Sequence, residues 1–299
     1  MKLAVGTAQF GMKYGIKKKI IKKEEIKKIN SYLKKSKINL LDTAQTYGSA
    51  ESIIGKNFSK NFNFITKIKI PKKRYKDILS WLSLNINNSI KKLKTKKIYG
   101  LLIHDYKDLK GKKGLLLIKN LKKLQKKGLI KKIGISIYNP KELDVIIKIF
   151  KPDIVQFPYN VLDQRIETSG WLNKLSKLRI ETYARSCFLQ GLLTNFQKDK
   201  KIYNKFKPYK KTLKKWFKWC KNNNISPSKA CLHFVKSQRK IDYIVVGFDN
   251  FMELKDLNTK FKSKKILIPN IFSSNNINLI DPRKWYKQNN LINKKKNLR

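Results

Sequence analysis

The sequence is poor in cysteine, in acid and in arginine, and each shortage excludes a class of protein. The three cysteines, Cys187, Cys220 and Cys231, are too few and too scattered for a disulfide framework or a CxxC metal site. No apolar run approaches the roughly 18–20 residues of a membrane span. The longest clean runs, such as residues 114–118, are core-sized. The N-terminus turns polar at Gly6-Thr7, too soon for a secretory signal core. These absences argue against a secreted, membrane or cysteine–zinc protein, and a cytoplasmic location is expected. Acid is the deepest deficit. Asp and Glu total 19 against 71 Lys and Arg, for a net charge of +52. Such a charge invites a nucleic-acid reading. Yet only 7 of the basic residues are arginine, the side chain best suited to bidentate base and phosphate contacts. Lys, Ile and Asn fill 128 of 299 positions. Their codons are A/T-rich, and the lysines run the whole length of the chain. Genome bias and a solvated surface therefore account for the charge, with no specific nucleic-acid partner. Weak attraction to polyanions would remain, and salt would abolish it.

What is present is a folded protein. Hydrophobic residues make up 41% of the chain, enough for a substantial core at this length. Short β-branched or apolar runs at 2–7, 38–42, 62–67, 98–104, 130–136, 154–157, 179–183 and 243–247 read as strands. Helical patterns lie between them at 24–37, 76–93, 115–127, 141–150, 209–222, 228–238 and 250–261. Ile26, Ile29 and Leu33 form one stripe. Ile78, Leu82, Ile86, Ile90 and Leu93 form another. Pro140 and Pro227 stand at helix starts. Eight strands interleaved with helices indicate an α/β fold, a (β/α)8 TIM barrel. A doubly wound sheet is the rival, but it would need a second domain to use eight strands. No Gly-, Pro- or Ser-rich linker cuts the chain. The barrel is expected over residues 1–268. A basic C-terminal extension, 269–299, carries one apolar patch at 279–285, and either folds over the barrel mouth or stays a tail.

In a parallel barrel, chemistry collects at the C-terminal ends of strands. Three strands end on titratable side chains: Asp42, Lys67 and His104. Each has a plain structural alternative. Asp42 could cap a helix, Lys67 is one lysine of many, and a strand-end histidine is often a hydrogen-bonded structural residue. Their succession on consecutive strands favours a site.

Asp42-Thr43-Ala44-Gln45-Thr46-Tyr47-Gly48, with Glu51 and Gly55 beyond, resembles the DTA…YG…E…G signature of the aldo-keto reductases. The resemblance runs over roughly residues 1–260, from Gly6-Thr7-Ala8-Gln9-Phe10-Gly11 through Gly134-Ile135-Ser136 and Gln156-Phe157-Pro158 to Gln190-Gly191-Leu192-Leu193. The opening motif and Ala184-Arg185-Ser186 resemble a bacterial branch linked to sugar and surface-polysaccharide metabolism. The resemblance implies an NAD(P)H-dependent enzyme that reduces an aldehyde or ketone, including sugar-like ones, without a metal. Tyr47 would be the general acid, with Lys67 lowering its pKa. Asp42 would hold Lys67, and His104 would orient the carbonyl.

The cofactor residues implied are Ser136 and Gln156 at the carboxamide and Arg185 at the nicotinamide ring. Phe188, Gln190, Gly191 and Leu192 would line the pyrophosphate. Gly247, Asp249, Asn250 and Glu253 would stand at the last helix start. Two departures are specific to this chain: Ile137 follows Ser136 where many relatives carry Asn, and Arg185 stands where an aromatic often stacks. Family habit gives a slight lean to NADPH. Asp249 and Glu253 would disfavour a 2′-phosphate and could accept from a ribose hydroxyl, while Lys255 or Lys260 could compensate, so NADH stays open. Phe10 and Tyr14 are expected in the substrate pocket, with Tyr159 or Phe188 as further walls. The partner expected is a small carbonyl compound, not a membrane. Two other functions compete: a nucleotide-binding sensor on the same fold with little turnover, and a polyanion-binding protein.

Overall fold

A computed structural model describes residues 1–58, 61–71 and 77–285. The first residue of the expected helix 76–93 and residues 286–299 of the extension lie outside the described residues. Eight parallel strands close in sequence order into a barrel. They are β1 (Lys2–Gly6), β2 (Leu40–Asp42), β3 (Asn63–Ile68), β4 (Ile98–Ile103), β5 (Ile130–Ser136), β6 (Ile154–Pro158), β7 (Glu181–Arg185) and β8 (Tyr243–Val246). β1 pairs with both β2 and β8, which leaves no edge. The expected (β/α)8 barrel is the fold.

The main helices are α1 (Lys23–Lys35), α2 (Ala50–Asn57), α3 (Ile78–Leu93), α4 (Gly111–Lys126), α5 (Glu142–Ile149), α6 (Trp171–Lys177), α7 (Lys210–Asn222), α8 (Pro227–Ser237) and α9 (Phe251–Lys262). α1 buries the Ile26, Ile29 and Leu33 stripe. Glu24 and Glu25 in its first turn and Lys34 and Lys35 in its last match the helix dipole. Asp77 caps α3 by accepting from Leu79 N. Pro227 opens α8 where a missing N–H costs nothing.

Two layers of core result. Ala4, Leu40, Ile65, Leu102, Ile154, Tyr183 and Val245 pack together inside the barrel. A larger shell lies between sheet and helices. At the N-terminal end, Tyr183 stacks on Tyr243 at 4.7 Å. Glu181 there accepts from Tyr99 and Tyr183 and pairs with Lys132. A polar network thus closes the barrel floor.

The seventh strand starts at Glu181, two residues later than expected. Arg179 turns at φ 54°, Ile180 N closes α6 on Leu175 O, and Glu181 N makes the first bond to Asp153 O. Neither α2, of 8 residues, nor α6 is among the helices expected from the sequence. α6 spans 7 residues, too short to display a period.

Residues 270–285 fold back onto the loops that follow the strands. Ser274 N donates to Leu162 O, and Gln164 Nε2 donates to Asn270 O. Phe272 packs edge-on to Trp216 at 5.2 Å. Trp285, 3% exposed, meets Phe206 edge-on at 4.8 Å and donates to Leu279 O. Replacing a buried tryptophan with alanine typically costs about 3–5 kcal/mol. Trp285→Ala is therefore expected to lower unfolding stability by about 3 kcal/mol, read from the denaturant midpoint. An unchanged midpoint would mean that this segment does not stabilise the barrel.

Candidate active site

Side chains two residues apart on a strand share a face. Counting two positions on from the apolar layer inside the barrel gives Gly6, Asp42, Lys67, His104, Gln156, Arg185 and Gly247. One step of strand period therefore separates the dry core from a ring of polar groups and glycines at the C-terminal mouth. Ser136 joins the ring as the register neighbour of Gln156.

Lys67, 2% exposed, has two of its three ammonium donors engaged by the protein. Its Nζ lies 2.7 Å from Asp42 Oδ2 and donates to Thr43 O at 2.9 Å. Gln156 Nε2 donates to the other oxygen, Asp42 Oδ1, at 2.8 Å. Both carboxylate oxygens are thus used, which a buried pair requires. Thr7 fixes the end of β2 by donating through N and Oγ1 to Asp42 O.

Tyr47 stands over this pair, with Lys67 Nζ 5.3 Å from its ring centroid. Its backbone is held by Tyr47 N to Ala44 O and Ala50 N to Tyr47 O. The loop carrying it presses on Gly11. A Cβ there would stand 2.1 Å from Tyr47 O, and Gly48, at φ +57°, packs against Gly11 O in return. Both motif glycines are needed for this backbone-to-backbone approach. Burial, and then the Asp42 carboxylate, push the Tyr47 phenol well above its ordinary value, while the Arg185 guanidinium partly offsets them. The sequence reading made Lys67 the cation that lowers it. Here the Lys67 charge is engaged by Asp42.

His104 follows β4, its N donating to Ile68 O at 2.9 Å. Burial foremost, then Lys67 and Arg185, bring its pKa down from 6.5 to about 4. The imidazole is neutral at neutral pH. His104 Nδ1, Gln156 Oε1 and Thr43 Oγ1 are buried with no protein partner among the described residues.

A cavity of about 350 Å³ opens over Asp42, Tyr47 and Gln156 and continues to Glu253, Asp256 and Lys260 on α9. Tyr14, Arg185, Phe188, Gln190, Gly191, Gly247 and Asp249 also line it. The loop after β7 is bent there, with Ser186, Leu189 and Gln190 at positive φ. Ile16 N donates to Gln190 O at 3.0 Å, which joins the loop after β1 to the loop after β7.

Other expected residues are placed elsewhere. Phe10 is 1% exposed and packs against Phe58 and Phe248 in the core, not in the cavity wall. Tyr159 is buried and donates to Glu167 at 2.5 Å. Leu192 is buried. Asn250 caps α9 by accepting from Glu253 N at 2.9 Å. Gln9, within the opening motif, shows no role in the sequence. Its Nε2 donates to Asp249 Oδ1 at 2.5 Å in the cavity wall. Lys17, Lys198 and Ser228, which also line the cavity, carry no signal in the sequence.

Of His104, Gln156 and Thr43 only Gln156 lines the cavity, and its unpartnered Oε1 suits a ligand that brings amide hydrogens, such as a carboxamide. No helix among the described residues is long and apolar enough to cross a membrane.

Comparison with known proteins agrees with this architecture. The profile of the aldo/keto reductase family matches residues 2–266. A search of the curated proteins found no match. Among solved structures, the aldo-keto reductase AKR11C1 from Bacillus halodurans in its holo form aligns with a TM-score of 0.68 and 16% identity, over 89% of this chain and 88% of that one. The glycerol dehydrogenase AKR11B4 from Gluconobacter oxydans aligns with a TM-score of 0.65 and 20% identity, over 89% and 87%. At such identities these two likenesses speak for the fold, and the family profile speaks for the family. The chain belongs to the aldo/keto reductase family, whose members are oxidoreductases that use NAD(P)H to reduce carbonyl groups.

Proposed function

We propose that this chain reduces a small aldehyde or ketone, with Tyr47 as general acid and Lys67, Asp42 and His104 supporting it. The observation that carries the reading is the buried Asp42–Lys67 pair beneath the Tyr47 ring, at one end of a cavity that reaches α9.

The bound nicotinamide supplies the hydride. Gln156 Oε1 and Ser136 would hold its carboxamide, the loop after β7 its pyrophosphate, and the loop after β8 its adenosine. The rest of the chemistry belongs to the side chains. A carbonyl oxygen gains negative charge as it is reduced, and needs a proton at that oxygen. The Tyr47 phenol is protonated in the resting protein, and because burial raises its pKa the charge developing on the carbonyl oxygen must draw the proton across. The tyrosinate left behind faces Lys67. Asp42 and Thr43 O hold that ammonium in place. His104 donates a hydrogen bond to the carbonyl oxygen as a neutral imidazole.

Cofactor preference turns on the α9 end of the cavity. Asp249 accepts from Gln9 there, and Glu253 Oε2 accepts from Asp249 N at 2.6 Å. Burial, and next the charge of Asp249, raise the Glu253 pKa. Two neighbouring carboxyls oppose a 2′-phosphate. Of the two cations that could compensate, Lys260 is engaged by Asp256 at 2.5 Å and Lys255 does not line the cavity. This balance favours NADH, against the slight lean to NADPH drawn from family habit.

Tyr47→Phe is expected to leave cofactor affinity nearly unchanged and to lower kcat by about 10²–10⁴-fold. Tryptophan-fluorescence titration with each cofactor and steady-state rates check this. Full activity in the variant would remove Tyr47 as the acid. Glu253→Arg is expected to tighten NADPH relative to NADH in the same titration. A ratio that does not move would take the α9 carboxylates out of the cofactor site.

The neutral His104 also has a thermodynamic signature. Its folded pKa lies below its unfolded one, so the stability it contributes is complete above pH 6.5. That stability is lost as pH falls toward about 4, because the unfolded chain takes up the proton first. His104→Gln is expected to flatten this acid-side loss in urea midpoints measured across that window. The same loss in the variant would mean that the imidazole is not shielded.

A further inference from the structure

Lysine is the default cation of this chain, so the places where arginine stands are informative. Three arginines gather near the barrel mouth, and each uses the flat guanidinium in a way that an ammonium cannot. Arg165 grips both oxygens of Asp163, at 2.7 and 2.8 Å. Arg283 grips both oxygens of Asp281. Both are therefore neutralised by a carboxylate. Arg185 is not. Its Nη2 donates to Ile137 O at 2.9 Å and its Nη1 to Ser186 Oγ at 3.2 Å. Its Cζ lies 4.2 Å from the Tyr138 ring centroid. Among the described residues it makes no ion pair. Two of its five N–H groups have protein acceptors, which leaves three for a ligand.

The position of Arg185 is equally specific. It follows Tyr183 of the inner apolar layer by two residues, and so points inward at the mouth. It lines the same cavity as Asp42, Tyr47 and Gln156. Its charge is felt by Tyr47, Tyr14 and His104 alike. The two neutral acceptors and the Tyr138 face hold the guanidinium still, so little freedom is lost when a ligand docks. A fixed, half-buried cation in the cavity that Tyr47 also lines, with three N–H groups unfilled, matches a planar anion.

We infer that the carbonyl substrate carries a carboxylate close to the reacting carbon, and that Arg185 is the residue that selects it. The inference rests on the proposed reductase reading, narrows its substrate class to oxo-acids, and takes Arg185 from the nicotinamide ring, where the family resemblance puts it, to the substrate. The phenol of Tyr47 would serve the carbonyl oxygen, and Arg185 would receive the carboxylate oxygens side by side.

Matched pairs of substrates test it. Glyoxylate and glycolaldehyde differ in carrying a carboxylate or a hydroxymethyl group beside the aldehyde. Succinic semialdehyde and butanal repeat the contrast at longer reach. Rates are measured at about 150 mM salt, which screens general attraction to the basic surface. The native protein is expected to favour the anionic member of at least one pair by about 30-fold in kcat/KM, chiefly through KM. Arg185→Leu is expected to erase that preference, and Arg185→Lys to restore part of it. Removing one charge from a net +52 leaves the bulk attraction in place, so a lost preference reports the local contact. Equal use of both members, or a preference that survives in Arg185→Leu, overturns the inference. So does an effect of Arg185→Leu confined to NADH or NADPH affinity. Calorimetric titration of glyoxylate and of succinic semialdehyde into Tyr47→Phe protein, with and without Arg185→Leu, separates the two readings. Arg185-dependent binding without any reduction by the native protein supports the anion site and removes the reductase. Reduction of neutral carbonyls without Arg185-dependent binding keeps the reductase and removes the anion site. Neither binding nor reduction removes both.

Discussion

The buried Lys67–Asp42 pair sets the terms for the rest of the structure. An ammonium taken out of water is costly, and the cost is offset only when the pair's geometry is good and further hydrogen bonds serve its remaining donors and acceptors. Here the partners come from separate parts of the sheet. Asp42 and the Thr43 carbonyl lie at the end of β2, Lys67 on β3 and Gln156 on β6. No local segment holds all of them, so the pair is satisfied only in a closed barrel of this register. The loop after β2 follows from the same constraint, because the carbonyl of Thr43 must face inward. That turn carries Tyr47 over the pair, and Gly11 and Gly48 let the loop settle there.

A single strand shows how the barrel separates its tasks. On β7, the inward residues are Glu181, Tyr183 and Arg185 in succession. Glu181 belongs to the polar floor that ties Tyr99, Tyr183 and Lys132 together. Tyr183 belongs to the apolar layer. Arg185 belongs to the mouth, where the cavity is. The polar groups of the floor bond to one another. The mouth keeps buried acceptors without protein partners. Groups whose needs the protein meets stabilise the barrel, and groups whose needs it leaves unmet await a ligand.

That division explains what could be read before the fold was known. β-branched runs and helical stripes such as Ile26, Ile29 and Leu33 disclose the alternating elements, because periodicity is a local property. Asp42, Lys67 and His104 could be picked out because strand ends are recognisable wherever an apolar run stops. Phe10 could not be placed by such reasoning. It stands one residue from Gln9 in one short turn, and only the turn's conformation sends the glutamine to the cavity and the phenylalanine to the core. The bond from Gln9 to Asp249 joins residues 240 positions apart. No pattern within either loop announces it. The helix α6 escaped because seven residues hold too few turns for a stripe, and the strand after it slipped by two because Arg179 adopts a left-handed turn.

The excess of lysine illustrates the same point in chemical terms. A lysine in this chain carries almost no information as a residue type. Among the described residues Lys67 is nevertheless the one lysine in the buried set, and burial turns a commonplace side chain into a specific one. Composition therefore describes the surface, where any solvated cation will do. The interior answers to geometry. Its charged positions are kept by the requirement that each buried charge find its partners, whether the partner is Asp42 for Lys67 or Asp163 for Arg165. Arg185 is the cation at this mouth for which the fold supplies planar support and hydrogen-bonded anchoring without an ion-pair partner among the described residues, the Asp281 charge acting on it only at longer range. An arrangement that restrains a guanidinium yet leaves it unneutralised is stable because the cavity keeps it half in contact with solvent. The same contact with solvent gives an anion its way in.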